Sequence, residues 1–266
     1  MEKTLSFLHP GTFGDTLYGM SAVKLLGGGD VYIKLNGMNE VAWNAFGAIN
    51  AGVHAGRYTQ ADLDFLFPLL KHQSYIHKLD VWRNETVDHD LGNHYKFTTG
   101  PNGWQGNQTE CYALVCGLDI NNYKKELLID PWLDPVEPIK IPGRPIVINR
   151  TGRYLQGGDP MPETWVDWVN NGLDQVAVFI GTQAECDAFN KQFNCNVPYQ
   201  PVKDMLEMAQ YIQGAEQVMG NQSVVIAIAA GLGKTFWCET RKDWDSFRSP
   251  HGWGDVWFPR VNAHYF

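Results

Sequence analysis

Short runs of branched apolar residues alternate with segments of helical periodicity along the whole chain. In the first half this pattern predicts a strand over Thr4–His9, a helix over Asp15–Leu26 and a strand over Asp30–Leu35. Helical spacing follows near Met38–Phe46, over Thr59–Leu70 and over Asn107–Gly117. The second half repeats the theme more clearly. Pro145–Asn149 reads as a strand, and Pro162–Asn170 as a helix with proline at its start and Gly172 past its end. A strand over Gln175–Ile180 ends at Gly181, and helices over Gln183–Phe193 and Val202–Gln213 precede a short strand, Gln217–Met219. An apolar helix over Ser223–Leu232 then leads to a strand over Thr235–Cys238. Nearly continuous apolar strands between helices imply parallel sheets covered on both faces.

One segment interrupts the alternation. Prolines 131, 135, 138, 142 and 145 fall within DPWLDPVEPIKIPGRP. Proline fixes φ and lacks an N–H, so this stretch is expected to be extended rather than helical. The expected organisation is a Rossmann-like domain over 1–130, a linker over 131–145, a second Rossmann-like domain over 146–240 and an aromatic tail over 241–266. Such a chain is α/β, with two domains facing a cleft, and ligands bind beyond the carboxyl ends of the strands.

Composition narrows the class. At 266 residues, 44% hydrophobic and 19% charged, the chain can bury a core, which excludes wholesale disorder. The formal charge of −8 argues against a protein that wraps nucleic acid, though a local basic patch fits. The opening MEKTLSFLHPG does not read as a signal peptide, and the longest apolar stretch, Val224–Gly233, falls short of the roughly 18 residues of a membrane span. Five cysteines without a CxxC pair suggest reduced thiols, and hence a cytoplasmic protein.

Three turns could carry chemistry. His9-Pro-Gly11-Thr-Phe-Gly14-Asp15 lies where the first strand meets its helix; Asp15 there is either a cap favoured by the helix dipole or a carboxylate facing the cleft. Asn149-Arg150-Thr151-Gly152-Arg153 follows the first strand of the second half; its arginines suit a phosphate, or simply decorate a turn. Gly220-Asn221-Gln222-Ser223 opens the apolar helix, where N–H groups make either an anion site or an ordinary cap. Gly231-Leu-Gly-Lys234-Thr235 imitates the end of a P-loop, but the leading glycine would be Ile228 and the segment closes a helix, so that reading fails. No metal site is expected: Asp88-His-Asp90 with His94 reads as a solvated loop, and the Asp62/Asp64, Asp88/Asp90 and Asp243/Asp245 pairs do not clearly end strands. Trp82, Trp104, Trp132, Trp244, Trp253 and Trp257 fall in apparent loops and could stack on sugar rings, whereas Trp165 and Trp168 look like helix packing.

Together these pieces resemble the ADP-heptose:lipopolysaccharide heptosyltransferase family. The matching stretches are Phe13-Gly-Asp15-Thr-Leu-Tyr with Ala22-Val23, the Asn149–Arg153 turn with Pro162-Glu-Thr-Trp165, Val178-Phe-Ile-Gly181 with Glu185, and Gly220-Asn-Gln-Ser223 through Ala229-Ala230-Gly-Leu-Gly-Lys234. In its last motif the chain has Gln222, Val224 and Ala227 where the family has Asp, Gly and His. The resemblance implies a GT-B-like fold and an inverting, metal-independent glycosyltransferase without a cofactor, using a nucleotide-sugar donor and a glycan or other hydroxyl acceptor. It assigns Asp15 as catalytic base, and Thr12, Gly14, Thr16, Arg150, Thr151, Arg153, Gly181, Asn221, Gln222 and Ser223 to donor binding. The altered motif also fits a module that binds a nucleotide or glycan without turnover. A third reading, glycosylation of modified DNA bases, is disfavoured by the acidic balance.

Overall fold

The computed structural model describes residues 3–35, 58–94, 107–152, 163–239 and 263–265. Two parallel sheets form its frame. The first has the order β3-β2-β1-β4, built from β1 (Ser6–His9), β2 (Gly29–Ile33), β3 (Ile76–Val81) and β4 (His89–Asp90). The second has the order β6-β5-β7-β8-β9, built from β5 (Ile146–Asn149), β6 (Ala177–Phe179), β7 (Gln217–Asn221), β8 (Phe236–Glu239) and β9 (Ala263–Tyr265). Among the described residues, the pairings between these strands are all parallel. The winding reverses between β1 and β4 in one sheet and between β5 and β7 in the other. Those reversals are the places where open α/β sheets bind ligands.

The helices are α1 (Phe13–Leu25), α2 (Gln60–Lys71), α3 (Gln108–Val115), α4 (Lys124–Leu128), α5 (Glu163–Asn170), α6 (Leu173–Val176), α7 (Gln183–Phe193), α8 (Met205–Gly214) and α9 (Val224–Gly231). Three begin with reciprocal capping boxes, Thr59 with Asp62, Asn107 with Glu110, and Thr182 with Glu185. Each box satisfies two N–H groups that the helix itself leaves unpaired. α1 is buried continuously from Thr16 to Val23, and α9 from Val225 to Gly231. A helix buried on all sides belongs in the middle of a structure. These two pack against each other, and α2 packs against α8, so one apolar cluster runs from Phe7 and Val31 of the first sheet to Val218 and Phe236 of the second.

The proline-rich stretch is extended, as proline chemistry requires, and its apolar residues are part of the core. Trp132 and Leu133 are buried, with Trp132 Nε1 donating to the Leu17 carbonyl at 2.8 Å and Leu133 N to the Gly231 carbonyl at 2.9 Å. Gly231 is required here because a Cβ would stand 2.7 Å from the Leu133 side chain. Asp134 accepts from Ser74 N and from Lys24 Nζ, which ties the strap to the ends of α2 and α1. Burial removes Trp132 from the tryptophans available to a sugar ring.

Several elements differ from expectation. The strand expected over Gln175–Ile180 is shortened by α6, and β3, β4 and β9 were not foreseen. Asp90 ends β4 rather than lying in a loop, while Asp88 is held by Lys3 and Ser6, which lower its carboxyl to about 2. The helix expected near Met38–Phe46, Arg153, Trp104, Trp244, Trp253, Trp257 and the Asp243/Asp245 pair lie outside the described residues.

Candidate active site

The turn after β1 delivers Asp15. Thr12 is the N-cap and Asp15 the third residue of α1, so the carboxylate sits in the first turn, where the N–H groups and helix dipole favour negative charge. Its Oδ2 accepts from Thr12 Oγ1 at 3.1 Å and its Oδ1 from Gln108 Nε2 at 3.4 Å. Asp15 is half-buried, whereas Gln108 is buried, with Oε1 lacking a partner. Gly14 has open space where a Cβ would stand.

Behind Asp15 lies a buried polar chain that the sequence did not reveal. His9 Nδ1 accepts from Gly11 N at 3.0 Å, which puts the neutral ring's proton on Nε2. That Nε2 lies 2.9 Å from Tyr112 Oη, which in turn lies 3.4 Å from His94 Nε2. His94 Nδ1 donates to the Leu91 carbonyl at 3.0 Å. On the other side, Thr16 Oγ1 is 3.0 Å from His9 Nδ1 and 2.7 Å from Tyr58 Oη. Burial pushes His9 down to about 3, with neighbouring His94 adding to the fall and Asp15 opposing it. Burial lowers His94 as well, again against the pull of Asp15. The Tyr58 phenol is pushed well above its ordinary range by burial, with its Thr16 bond opposing and the Asp15 charge adding.

These histidines make acid stability a direct test. Each is neutral in the folded chain and protonates in the unfolded chain near the ordinary value of 6.5. The unfolded state therefore binds more protons below 6.5, and stability falls as pH drops from there toward the folded value. Between pH 6.5 and 4.5, above most carboxylate titrations, His9 alone is expected to remove about 2 kcal/mol. Urea unfolding midpoints across that range should fall accordingly, and a flat profile would contradict a neutral buried His9.

The second cluster gathers at the β5/β7 reversal. Asn221 Oδ1 accepts from Thr151 N at 3.0 Å, and its Nδ2 donates to the Thr151 carbonyl at 2.8 Å. Asn221 thus fastens the Thr151 turn to β7 and has both ends of its amide engaged. Gln222 and Ser223 follow, Ser223 being the N-cap of α9 with its Oγ buried and unpartnered. The first-turn N–H groups of α9 have no acceptor within their own helix. Asn149, at the end of β5, donates to the Ile180 carbonyl while its Oδ1 is buried without a partner. Gly181 packs against it, since a Cβ there would lie 2.5 Å from Asn149 Nδ2.

Arg150, expected at a phosphate, has partners of its own in the domain. Its guanidinium is buried and bidentate to Glu239 at 2.6 and 2.8 Å, with a third bond to Gln192 Oε1 at 2.8 Å. The guanidinium also stands over the Phe193 ring. Three of its donors are thus engaged inside the domain, which favours a structural cation over the phosphate grip expected from the sequence. Trp165 Nε1 completes the set by donating to Glu239 at 2.8 Å.

Among the described residues no three His, Cys, Asp or Glu side chains gather as a metal-holding group, and no helix is long and apolar enough to cross a membrane. Burial pushes the Cys186 thiol up to about 11 and the Cys116 thiol up to about 12, so neither is a thiolate near neutral pH.

The two wound parallel sheets, with their reversals at β1/β4 and β5/β7, define a GT-B-like fold. Among solved structures the chain is similar to a glycosyl transferase of family 9 from Veillonella parvula, at TM-score 0.55 and 10% identity, over 100% of this chain and 85% of that one. It is likewise similar to the E. coli ADP-heptose LPS heptosyltransferase II, at TM-score 0.54 and 12% identity, over 99% of this chain and 90% of that one. A third match is the iron-containing dodecameric glycosyltransferase TibC of enterotoxigenic E. coli, at 0.52 and 13% identity, over 98% of this chain and 62% of that one. No protein-family model and no curated protein matches the sequence. At these identities the likeness is one of fold.

Proposed function

We propose that this chain is a glycosyltransferase that moves a sugar from a nucleotide-sugar donor to an acceptor hydroxyl, with inversion and without a metal. The observation that carries the reading is Asp15, a half-buried carboxylate beside the β1/β4 reversal of a GT-B-like fold. Asp15 takes the proton of the acceptor hydroxyl as its oxygen attacks the anomeric carbon from the face opposite the diphosphate. The bond from that carbon to the diphosphate oxygen breaks, and the electron pair leaves with the nucleoside diphosphate. At the β5/β7 reversal, Thr151, Gln222, Ser223 and the first-turn N–H groups of α9 receive the growing charge. Asn221 contributes by holding the Thr151 turn. Arg150 is absent from this set because its guanidinium is already paired.

The E. coli structure described as an ADP-heptose LPS heptosyltransferase makes ADP the first nucleotide to try. A thermal-shift panel of nucleoside diphosphates and their sugars is expected to show stabilisation by one base. At a concentration 100 times Kd the gain is about 2.7 kcal/mol, and at midpoint each kcal/mol corresponds to roughly 2–4 °C for a chain of this size. The stabilising donor is then assayed for release of nucleoside diphosphate. Binding without release in the presence of glycan acceptors would return the chain to a binding module. No stabilisation by any diphosphate would remove the donor assignment.

A further inference from the structure

The hydrogen-bonded chain behind Asp15 has a geometry beyond what core filling asks for. His9 is fully buried at the end of β1, between the turn that carries Asp15 and helix α1. A side chain at Gly11 would collide with the ring, and one at Gly19 would crowd it. A Cβ on Gly11 would lie 2.6 Å from His9 Cε1, and a Cβ on Gly19 would lie 3.1 Å from His9 Cδ2. The ring therefore occupies the space that two glycines open, and its Nδ1 holds the Gly11 N–H and the Thr16 hydroxyl. Gly11 precedes Asp15 by four residues and Thr16 follows it, so His9 grips the Asp15 turn from both ends.

The directions of the bonds are mutually consistent. The Gly11 N–H can only donate, so His9 Nδ1 carries no proton and Nε2–H points to Tyr112 Oη. The Leu91 carbonyl can only accept, so His94 carries its proton on Nδ1 and offers Nε2 to the Tyr112 hydroxyl. One phenol thus joins two histidines of opposite tautomer. Tyr112 is tilted against both rings, its centroid 5.6 Å from His9 and 4.4 Å from His94, while the two imidazoles stack on each other at 6.3 Å.

Helix α3 connects this chain to the carboxylate by a second route. Gln108 and Tyr112 are one turn apart on the same face of α3. Gln108 Nε2 donates to Asp15 Oδ1, and Tyr112 meets His9, so a single helix face sets both the carboxylate and the turn beneath it. The Asn107–Glu110 capping box fixes the start of that helix immediately before the contact.

We propose that His9, fixed in its Nε2–H tautomer by the Gly11 N–H and joined through Tyr112 to His94, acts with Gln108 as a positioning assembly that sets Asp15 for proton abstraction. None of the three behind Asp15 touches substrate. This rests on Asp15 being the base, and the tests separate the two. Histidine ¹⁵N spectra at pH 7 need no substrate. They are expected to show His9 protonated on Nε2 and His94 on Nδ1, with the Nε2 signals of both rings shifting in Tyr112→Phe as the shared phenol is lost. A His9 protonated on Nδ1, or the same tautomer in both rings, overturns the assembly whatever the chain catalyses. In steady-state kinetics Tyr112→Phe keeps the ring and removes only its hydroxyl. It is expected to lower kcat about 10-fold to 100-fold, in line with misplacement of a reacting group, with donor KM and the nucleotide thermal shift unchanged. In an Asp15→Asn background the same change is expected to have no further effect on kcat, because the group being positioned is gone. Wild-type kcat in Tyr112→Phe, or an equal loss in both backgrounds, overturns the proposal. Full activity in Asp15→Asn alone refutes the base assignment instead.

Discussion

Asp15→Asn is expected to slow release of nucleoside diphosphate by about 10²- to 10⁴-fold, the ordinary worth of a positioned general base. That corresponds to about 3–5 kcal/mol of transition-state stabilisation. The substitution is isosteric, and an amide oxygen can still accept from Thr12 Oγ1. The structural loss is the interaction of a negative charge with the α1 N-terminus, about 0.3–1 kcal/mol. The expected signature is a collapse of kcat beside a small change in unfolding midpoint and an unchanged donor thermal shift. If Asp15 served only to cap the helix, the pattern would reverse. The stability change would remain while turnover stayed within a few-fold of wild type, and the base would have to be sought elsewhere.

The parts legible in the sequence are those specified by neighbouring residues. Capping boxes need partners three residues apart, and the helices starting at Gln60, Gln108 and Gln183 lie where Thr59, Asn107 and Thr182 announce them. The β5, β7 and α9 segments are apolar runs with turn chemistry between them, and they appear near their predicted bounds. What was missed depends on distant partners. β3 reads IHKLDV and is half-exposed at the edge of its sheet, so its apolar signal is weak. β4 is a two-residue strand whose existence depends on pairing with Phe7 and Leu8.

The site follows the same division. Asp15 is legible as a candidate because a glycine-rich turn before a helix is a local pattern, and its role as base comes from the resemblance. His9 and Tyr112 were not, because a histidine at a strand end says nothing about a phenol 103 residues further on. A signal existed: Gln108 and Tyr112 place two polar groups at i and i+4 on a helix, the spacing at which both can reach one target. His94 was read as part of a polar loop, yet its ring is buried. The Arg150 pairing is invisible for the same reason, since its partner Glu239 is 89 residues away.

That pair carries the second large effect. Arg150 is 2% exposed at its side chain and Glu239 13%, so both charges have given up most of their water. Removing one member leaves the other buried without compensation, which typically costs about 3–5 kcal/mol. Glu239→Gln keeps an acceptor for Trp165 Nε1 and a shape close to native, so its loss in a denaturant titration isolates the missing charge. Arg150→Met fills the space beside Phe193 without a cation. Combined with Glu239→Gln it is expected to recover most of the stability, because a neutral buried contact no longer strands a charge. The double variant also separates the two readings of Arg150. A structural cation predicts that the double variant retains the nucleotide thermal shift of the native chain. A phosphate grip predicts that the shift disappears with the guanidinium while stability depends little on Glu239. Wild-type stability in Glu239→Gln would therefore overturn the buried-pair assignment and return Arg150 to the ligand.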